Sequence, residues 1–544
     1  MSEQTITSTP VNAPDVLMNQ PLTRQMDVDI ESTILEPVSH NYNTNTGGTT
    51  VFQLPAKGVL RARDALLRFS LTSLEANGSN AYNFAVGGAG CINRITAKIG
   101  GTIASQSVRA AHYLNIKQNF MSQDKKEGVI DGRHCSSHNV ELNVASGKIA
   151  NTNTDLSYHQ LYNPECDQVK GFGNSYNSTA NNRHQVQISK CLSSNVGQSP
   201  EIAVRLGDLF EIFDENDLPT FAMAQVEIII EWNPAGLIGG QAANKLENPL
   251  IDSLIPDAAV NAAPALQQLG TVTMDLPTML LDFIHYPEEE RQKISNAIAS
   301  PGGMRLDFSE VLYTRGVNPT ATATGQISSQ HILGMALKEV KKIYIAKNYD
   351  QFNTTGNTEL NADFNGIKTH RNILYNQFKS QQIPGESWNI FINNNRLYDR
   401  DISNPLVQHD YLSQCRTNFR VPASYYDTSN YNPLSNRILL DREYGSGVIG
   451  ADLINAGMSK RYLAGSTNYI GINLDKYNNL GSVVGNGMRI GSSPIVFDYN
   501  RLAIAANGAE NGGHLASVNL DFYIAYRRSL IIRPLGCDVS DAWS

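Results

Sequence analysis

Charge is scarce in this sequence. Asp, Glu, Lys and Arg make up 17% of 544 residues, against roughly a quarter in an ordinary soluble domain. Asn, Gly, Ser, Thr and Tyr supply the polarity instead, which is the balance of a loop-rich β protein. The charge that exists sums to −8. That argues against a protein built chiefly to grip nucleic acid, because neutralising phosphates needs clustered Lys and Arg. Residues 1–25 carry Glu3, Asp15 and Arg24 as their only charges, so this arm is not expected to bind a genome by charge. No basic stretch followed by an apolar one opens the chain, and no window approaches 18 consecutive apolar residues. Signals for secretion and for a membrane-spanning helix are therefore missing, and synthesis in the cytosol is the expectation.

Cysteine is also sparse. Cys91, Cys135, Cys166, Cys191, Cys415 and Cys537 are scattered at wide intervals, unlike the dense framework of a small disulfide-stapled fold, and they read as free thiols. His134-Cys135-Ser136-Ser137-His138 lacks a second Cys or His pair to complete a metal site and reads as a polar loop.

Catalytic signatures are missing as well. No Gly-x-Ser-x-Gly elbow or His-Glu-x-x-His pair occurs. Gly445-Ser446-Gly447-Val448-Ile449-Gly450 fits a dinucleotide-binding fingerprint in letters. However, Asp441-Arg442-Glu443-Tyr444 separates it from the apolar run before it, and no βαβ alternation surrounds it. Gly87-Gly88-Ala89-Gly90 lacks the Gly-Lys-Ser/Thr ending of a phosphate loop. Asp214, Glu215 and Asp217, or Glu288 to Glu290, could supply an acid and a base to a sugar-cleaving sandwich, but neighbouring acids on a loop or first turn are usually solvated. Arg527 and Arg528 with Arg533 could face packaged DNA or an internal membrane, or form a subunit salt bridge. The sequons at Asn77, Asn177 and Asn353 carry little weight without a secretory signal. No catalytic, cofactor-binding or metal-ligating residue is assigned.

What is present is a succession of short apolar runs between turn residues. In the first half they lie at residues 27–35, 51–54, 65–71, 92–99, 185–188 and 226–232. Leu67, Phe69 and Leu71 alternate with Arg68 and Ser70, and Val226, Ile228 and Ile230 alternate with Glu227, Ile229 and Glu231. A period of two marks half-buried strands. After Asn233-Pro234-Ala235-Gly236 comes an Ala-, Asn- and Pro-rich stretch that reads as a connector. The strand grammar then resumes at residues 271–276, 340–346, 388–392, 437–440, 469–474, 495–499 and 518–526, with long polar loops at 348–365 and 422–436. Proline and three acids starting at Pro287 predict a helix to about Ala299, and a second helix is expected after Gln106, through His112-Tyr113-Leu114.

The halves repeat. A strand, the turn Gly100-Gly101, a returning strand and Tyr113-Leu114-Asn115 match a strand, the turn Asn393-Asn394-Asn395, a returning strand and Tyr411-Leu412-Ser413. Ala224-Gln225-Val226 and Ala516-Ser517-Val518 each open a last strand, and both matches lie about 290 residues apart, as a duplication predicts. The expected fold is all-β: two tandem eight-stranded jelly-roll β-sandwiches with a few short helices in loops. The expected divisions are a flexible N-terminal arm (1–25), a first jelly roll (26–235), a linker (236–268), a second jelly roll with long loop insertions (269–535) and a C-terminal tail (536–544).

This duplicated sandwich resembles the double jelly-roll major capsid proteins, in the flavour of virophages and polinton-like viruses. The resemblance is carried by Asp27-Val28-Asp29-Ile30-Glu31-Ser32-Thr33-Ile34-Leu35-Glu36-Pro37-Val38, by Leu206-Gly207-Asp208-Leu209-Phe210 with Leu218-Pro219, and by residues 518–535. It covers most of the chain as a pattern. It implies a homotrimer whose six jelly rolls form a pseudo-hexagonal capsomer tiling the icosahedral shell of a double-stranded DNA virus. Neighbouring capsomers, penton and minor capsid proteins would be its partners, the virion its location, and it would need no cofactor and bind no specific nucleic-acid sequence. The competing classes are a carbohydrate- or receptor-binding virion spike and a glycan-active enzyme. A fibre would favour short regular repeats, which are not found.

Overall fold

The computed structural model describes residues 11–12, 28–43, 46–73, 91–110, 113–114, 116, 201–233, 272–323, 325–333, 339–349, 383, 385–392, 394–415, 469–474, 488–489, 495–503 and 517–540. In chain order the first strands are β1 (Val11–Asn12), β2 (Asp29–Leu35), β3 (Ser39–Asn43), β4 (Gly47–Gln53), β5 (Val59–Leu60), β6 (Leu66–Ser73), β7 (Ile92–Ile99), β8 (Thr102–Val108) and β9 (Glu201–Arg205). Two short helices follow, α1 (Leu206–Leu209) and α2 (Glu211–Glu215), then β10 (Val226–Trp232), β11 (Val272–Met274), β12 (Thr278–His285) and helix α3 (Glu288–Ala299). The chain continues through β13 (Met304–Asn318), β14 (Gly325–Leu333), β15 (Glu339–Tyr349), β16 (Ser387–Ile392), β17 (Asn395–Arg396) and helix α4 (Pro405–Gln414). It closes with β18 (Ile470–Asn473), β19 (Met488–Arg489), β20 (Ile495–Ala503), β21 (Val518–Arg533) and β22 (Gly536–Ser540).

The pairing is that of two jelly rolls, one after the other. In the first, one sheet runs β2-β12-β6-β9 and the other β4-β10-β7-β8. In the second, the corresponding sheets run β13-β21-β15-β18 and β14-β20-β16-β17. Numbering the eight strands of each roll along the chain gives the same two orders in both, 1-8-3-6 and 2-7-4-5. Two antiparallel sheets with this crossing connectivity make a jelly roll. The order was legible in the strand grammar, but the boundary was not. Residues 272–285, expected in the second unit, pair with the first: β12 lies between β2 and β6, and β11 extends β6. The expected linker therefore falls between the seventh and eighth strands of the first roll. The expected tail is also a strand, since β22 pairs with β21.

The duplication holds for the hairpin. β7–β8 and β16–β17 are strands four and five of their rolls, and Gly100, Gly101 and Asn394 turn them with positive φ. The matched closing strands are not equivalent. β10 is the seventh strand of its roll and β21 the eighth, so the true counterpart of β10 is β20. Alternating strand words recur in every sandwich, whereas turn geometry is specific to a position.

Each core follows from period-two burial. Val226, Ile228, Ile230 and Trp232 on β10 are buried, with Trp232 edge-on to Phe69 of the facing sheet at 4.9 Å. Its Nε1–H donates to Thr50 Oγ1 at 2.7 Å. In the second roll, Phe497 on β20 meets Phe522 on β21 at 5.5 Å and Trp388 on β16 at 6.0 Å. Helix α3 starts directly after Pro287, as expected, and buries Ile294, Ala297 and Ile298 against the first core. The three cysteines among the described residues, Cys91, Cys415 and Cys537, are free and buried.

Candidate functional site at the junction of the rolls

Where the two rolls meet, strand length decides the architecture. β2 and β12 have 7 and 8 residues, but their counterparts β13 and β21 have 15 and 16. The β13–β21 ribbon thus overhangs its own sandwich. Met304, Leu306 and Phe308 on β13, with Leu530 and Ile532 on β21 and Cys537 on β22, join the first roll's core cluster. Full burial of such side chains contributes roughly 1.5–3 kcal/mol each, so the ribbon fixes one roll on the other through apolar contact.

Polar groups set the register of this contact. Glu310 interrupts the apolar alternation of β13 and is buried. Its carboxylate accepts the Ser105 O–H, shared between its two oxygens at 3.0 and 2.9 Å, and the Gln106 backbone N–H at 3.0 Å, both on β8. Arg528 lies 3.4 Å away on the neighbouring strand. Burial pushes the Glu310 carboxyl up to about 7, with Arg528 and these hydrogen bonds acting in the opposite direction. Nearby, Asp521 accepts from Tyr313 Oη (2.8 Å) and Arg315 Nε (2.7 Å), and Arg109 of the first roll donates to Tyr313 Oη at 2.8 Å. Arg109 has a φ of 53°, a left-handed conformation at the end of β8. Such a backbone costs on the order of 1 kcal/mol or more and persists only where its surroundings hold it.

Residues 110, 113, 114 and 116 are helical, which meets the expectation of a helix here. Tyr113 stacks on Tyr523 (6.1 Å) and meets Tyr344 at a tilt (6.2 Å) in the second roll, and Ile116 joins Leu412 and Cys415 in one cluster with those two tyrosines. From α2, Glu215 accepts the Ser309 N–H at 3.1 Å, and Asn216 Nδ2 donates to the Asp307 carbonyl at 3.1 Å. A cleft beside Glu310 has a cavity volume of about 10 Å³, room for about one water. The arrangement is a polar clamp between the two rolls.

The residues that the sequence singled out are mostly structural here. Arg527 pairs with Asp307 at 2.8 Å, Arg528 with Glu310, and Arg533 with Asp538 at 2.6 Å. Asp214 faces Arg63 at 3.3 Å, and Asp217 is pushed up to about 6 by burial. Glu288 and Glu290 pair with Arg291 and Lys293 along α3. Among the described residues no three His, Cys, Asp or Glu side chains are grouped to hold a metal. Gly87–90, residues 134–138, Gly445–450, the three sequons and the strands expected at 185–188 and 437–440 lie outside the described residues. The junction itself was not anticipated. The one available signal was Glu310, a charge at a position where β13's alternation calls for an apolar side chain.

No protein-family model matches the sequence, nor does any curated protein. Solved structures do. The chain is similar to a protein in the 3.5 Å cryo-EM structure of the Sputnik virophage, at 11% identity and a TM-score of 0.51, covering 100% of this chain and 96% of that one. It is also similar to the Faustovirus major capsid protein, at 9% identity and a TM-score of 0.50, covering 94% and 92%. At such identities the likeness is one of fold, and it runs through both rolls and their junction: the chain has an all-β, double jelly-roll fold.

Proposed function

We propose that this chain is the major capsid protein of a double-stranded DNA virus, acting as a coat subunit and not as an enzyme. The observation that carries the reading is the tandem of two identically connected jelly rolls held by one apolar ribbon and a buried polar clamp. A rigid pair of this kind is a ready-made third of a six-lobed ring. Three copies would close into a pseudo-hexagonal capsomer, since closed rotational symmetry is the common outcome of a repeated head-to-tail contact. Strands paired within closed sandwiches leave short edges, so lateral contacts fall to loops and sheet faces. The likeness to the Faustovirus major capsid protein supports the same reading.

The neighbours would be copies of the capsomer, penton proteins and minor capsid proteins, the location the virion, and the site of synthesis the host cytoplasm or a virus factory. The two rolls divide between α3 and β13, near residues 300–303. The test is light scattering on a size-exclusion column with negative-stain images of the peak. The reading expects a compact particle of three times the 59.7 kDa chain mass with a hexagonal outline. A stable monomer that hydrolyses or binds glycans would overturn it.

A further inference from the structure

The contact inside the chain contains the plan of a contact between chains, on the coat-subunit reading above. In the second roll, the outer face of the β13-β21-β15 sheet carries Tyr313, Tyr523 and Tyr344, which share that face by register. The first roll's segment after β8 covers it, through Arg109, Tyr113 and Ile116. The equivalent face of the first roll is the outer side of β2 and β12. There Ile30 lies opposite Ile284 and Ile34 opposite Leu280, and directly opposed residues point the same way. Their inward neighbours Met279, Leu281 and Phe283 are buried, which assigns Ile30, Ile34 and Leu280 to the outside, while Ile284 is half-buried and packs against the first roll's core.

This face is open where its counterpart is covered. Ile30 is 56% and Ile34 64% exposed. The second roll also holds the counterpart of the covering segment. Helix α4 follows β17 as the helical residues 110, 113, 114 and 116 follow β8, and it exposes Val407 at 40%. We propose that α4 of one copy packs over the Ile30–Ile34 face of a second copy's first roll, repeating between chains the contact already made within one. Each chain then offers one covering helix and one open face, so the contact is heterologous, and it closes when three chains complete a ring of six rolls.

The test uses the full chain in light scattering, with thermal melting as a check on folding. Because Ile30, Ile34 and Val407 are exposed, Ile30→Glu/Ile34→Glu and Val407→Lys should melt like the parent yet shift from three chain masses to one, with self-association weakened at least tenfold. Combining Ile34→Glu with Val407→Lys in one chain should recover the trimer by charge pairing. Ile332→Glu, at a 72% exposed position on β14, should leave it intact. Trimers persisting in both the β2 and the α4 variants would overturn this contact while leaving the coat reading in place. A parent chain that never exceeds one chain mass would overturn the trimer of that reading and this contact together.

Discussion

The two jelly rolls share one connectivity and differ in what fills them. Among the described residues, the first roll buries hydroxyls and an amide, such as Thr50, Thr96, Thr220 and Asn216, and a single carboxyl, Asp217. The second roll buries whole charges: Lys347 Nζ sits 2.6 and 2.8 Å from the Glu386 carboxylate, and Arg501, fully buried, donates to Asn318 and to the Pro319 carbonyl. The same fold can thus be filled with isolated polar groups or with matched charges. A buried pair adds little net stability, but breaking one is costly because it leaves an uncompensated charge. The second roll is accordingly the more selective about single changes, and it is also the roll that reaches across to its neighbour.

The sharpest way to break this comparison is Lys347→Met. Losing one partner of the buried pair should cost roughly 3–5 kcal/mol, whereas Lys347→Met with Glu386→Leu should lie near the parent. Denaturant titration of both variants checks this. Equal losses in the two would mean that the pair contributes packing and not charge compensation. Next in size is Leu530→Ala, which removes a fully buried side chain of the overhanging ribbon and should cost roughly 2–5 kcal/mol. Its signature is a single melting transition that separates into two as the rolls uncouple.

Glu310 sharpens the comparison through pH. Its folded value, raised from 4.5 to about 7 by burial, means that the folded protein binds the proton more tightly than the unfolded chain. Its contribution is therefore most favourable below pH 4.5 and is lost as pH rises to about 7, a change on the order of 3 kcal/mol. Glu310→Gln should flatten this part of the stability–pH curve. Asp217, raised to about 6 by burial, acts in the same direction in both proteins and cancels in the difference. The smallest effect is at the matched turns. Gly100→Ala places a Cβ 2.8 Å from the Gly536 Cα at a φ of 56°, for a cost of roughly 1–3 kcal/mol. Asn394, at a φ of 60° in the second roll, should accept Gly with a change of only a few tenths of a kcal/mol.

The fold was legible where burial follows simple alternation. β10 and the acid-rich start of α3 could be read directly, because β10 buries alternate residues and α3 begins at a proline followed by three acids. The division between rolls was not legible. The Ala-, Asn- and Pro-rich stretch before residue 269 has the composition of a linker, and nothing local in β12 says which sheet its Met279, Leu281 and Phe283 will join. β13 escaped for a related reason: Glu310 breaks its pattern, and the partners that satisfy it, Ser105 and Gln106, are about 200 residues away. The basic cluster at Arg527, Arg528 and Arg533 was visible, but the acids that neutralise it come from β13 and β22 and are adjacent only after folding.

The most direct test of the account is a subnanometre cryo-EM reconstruction of the purified oligomer. The account predicts a threefold ring of six upright β-sandwich lobes in which first and second rolls alternate, with a contact between chains that matches the contact within one. A particle whose rolls do not alternate, or whose contact between chains leaves the outer face of β2 and β12 in solvent, would contradict it.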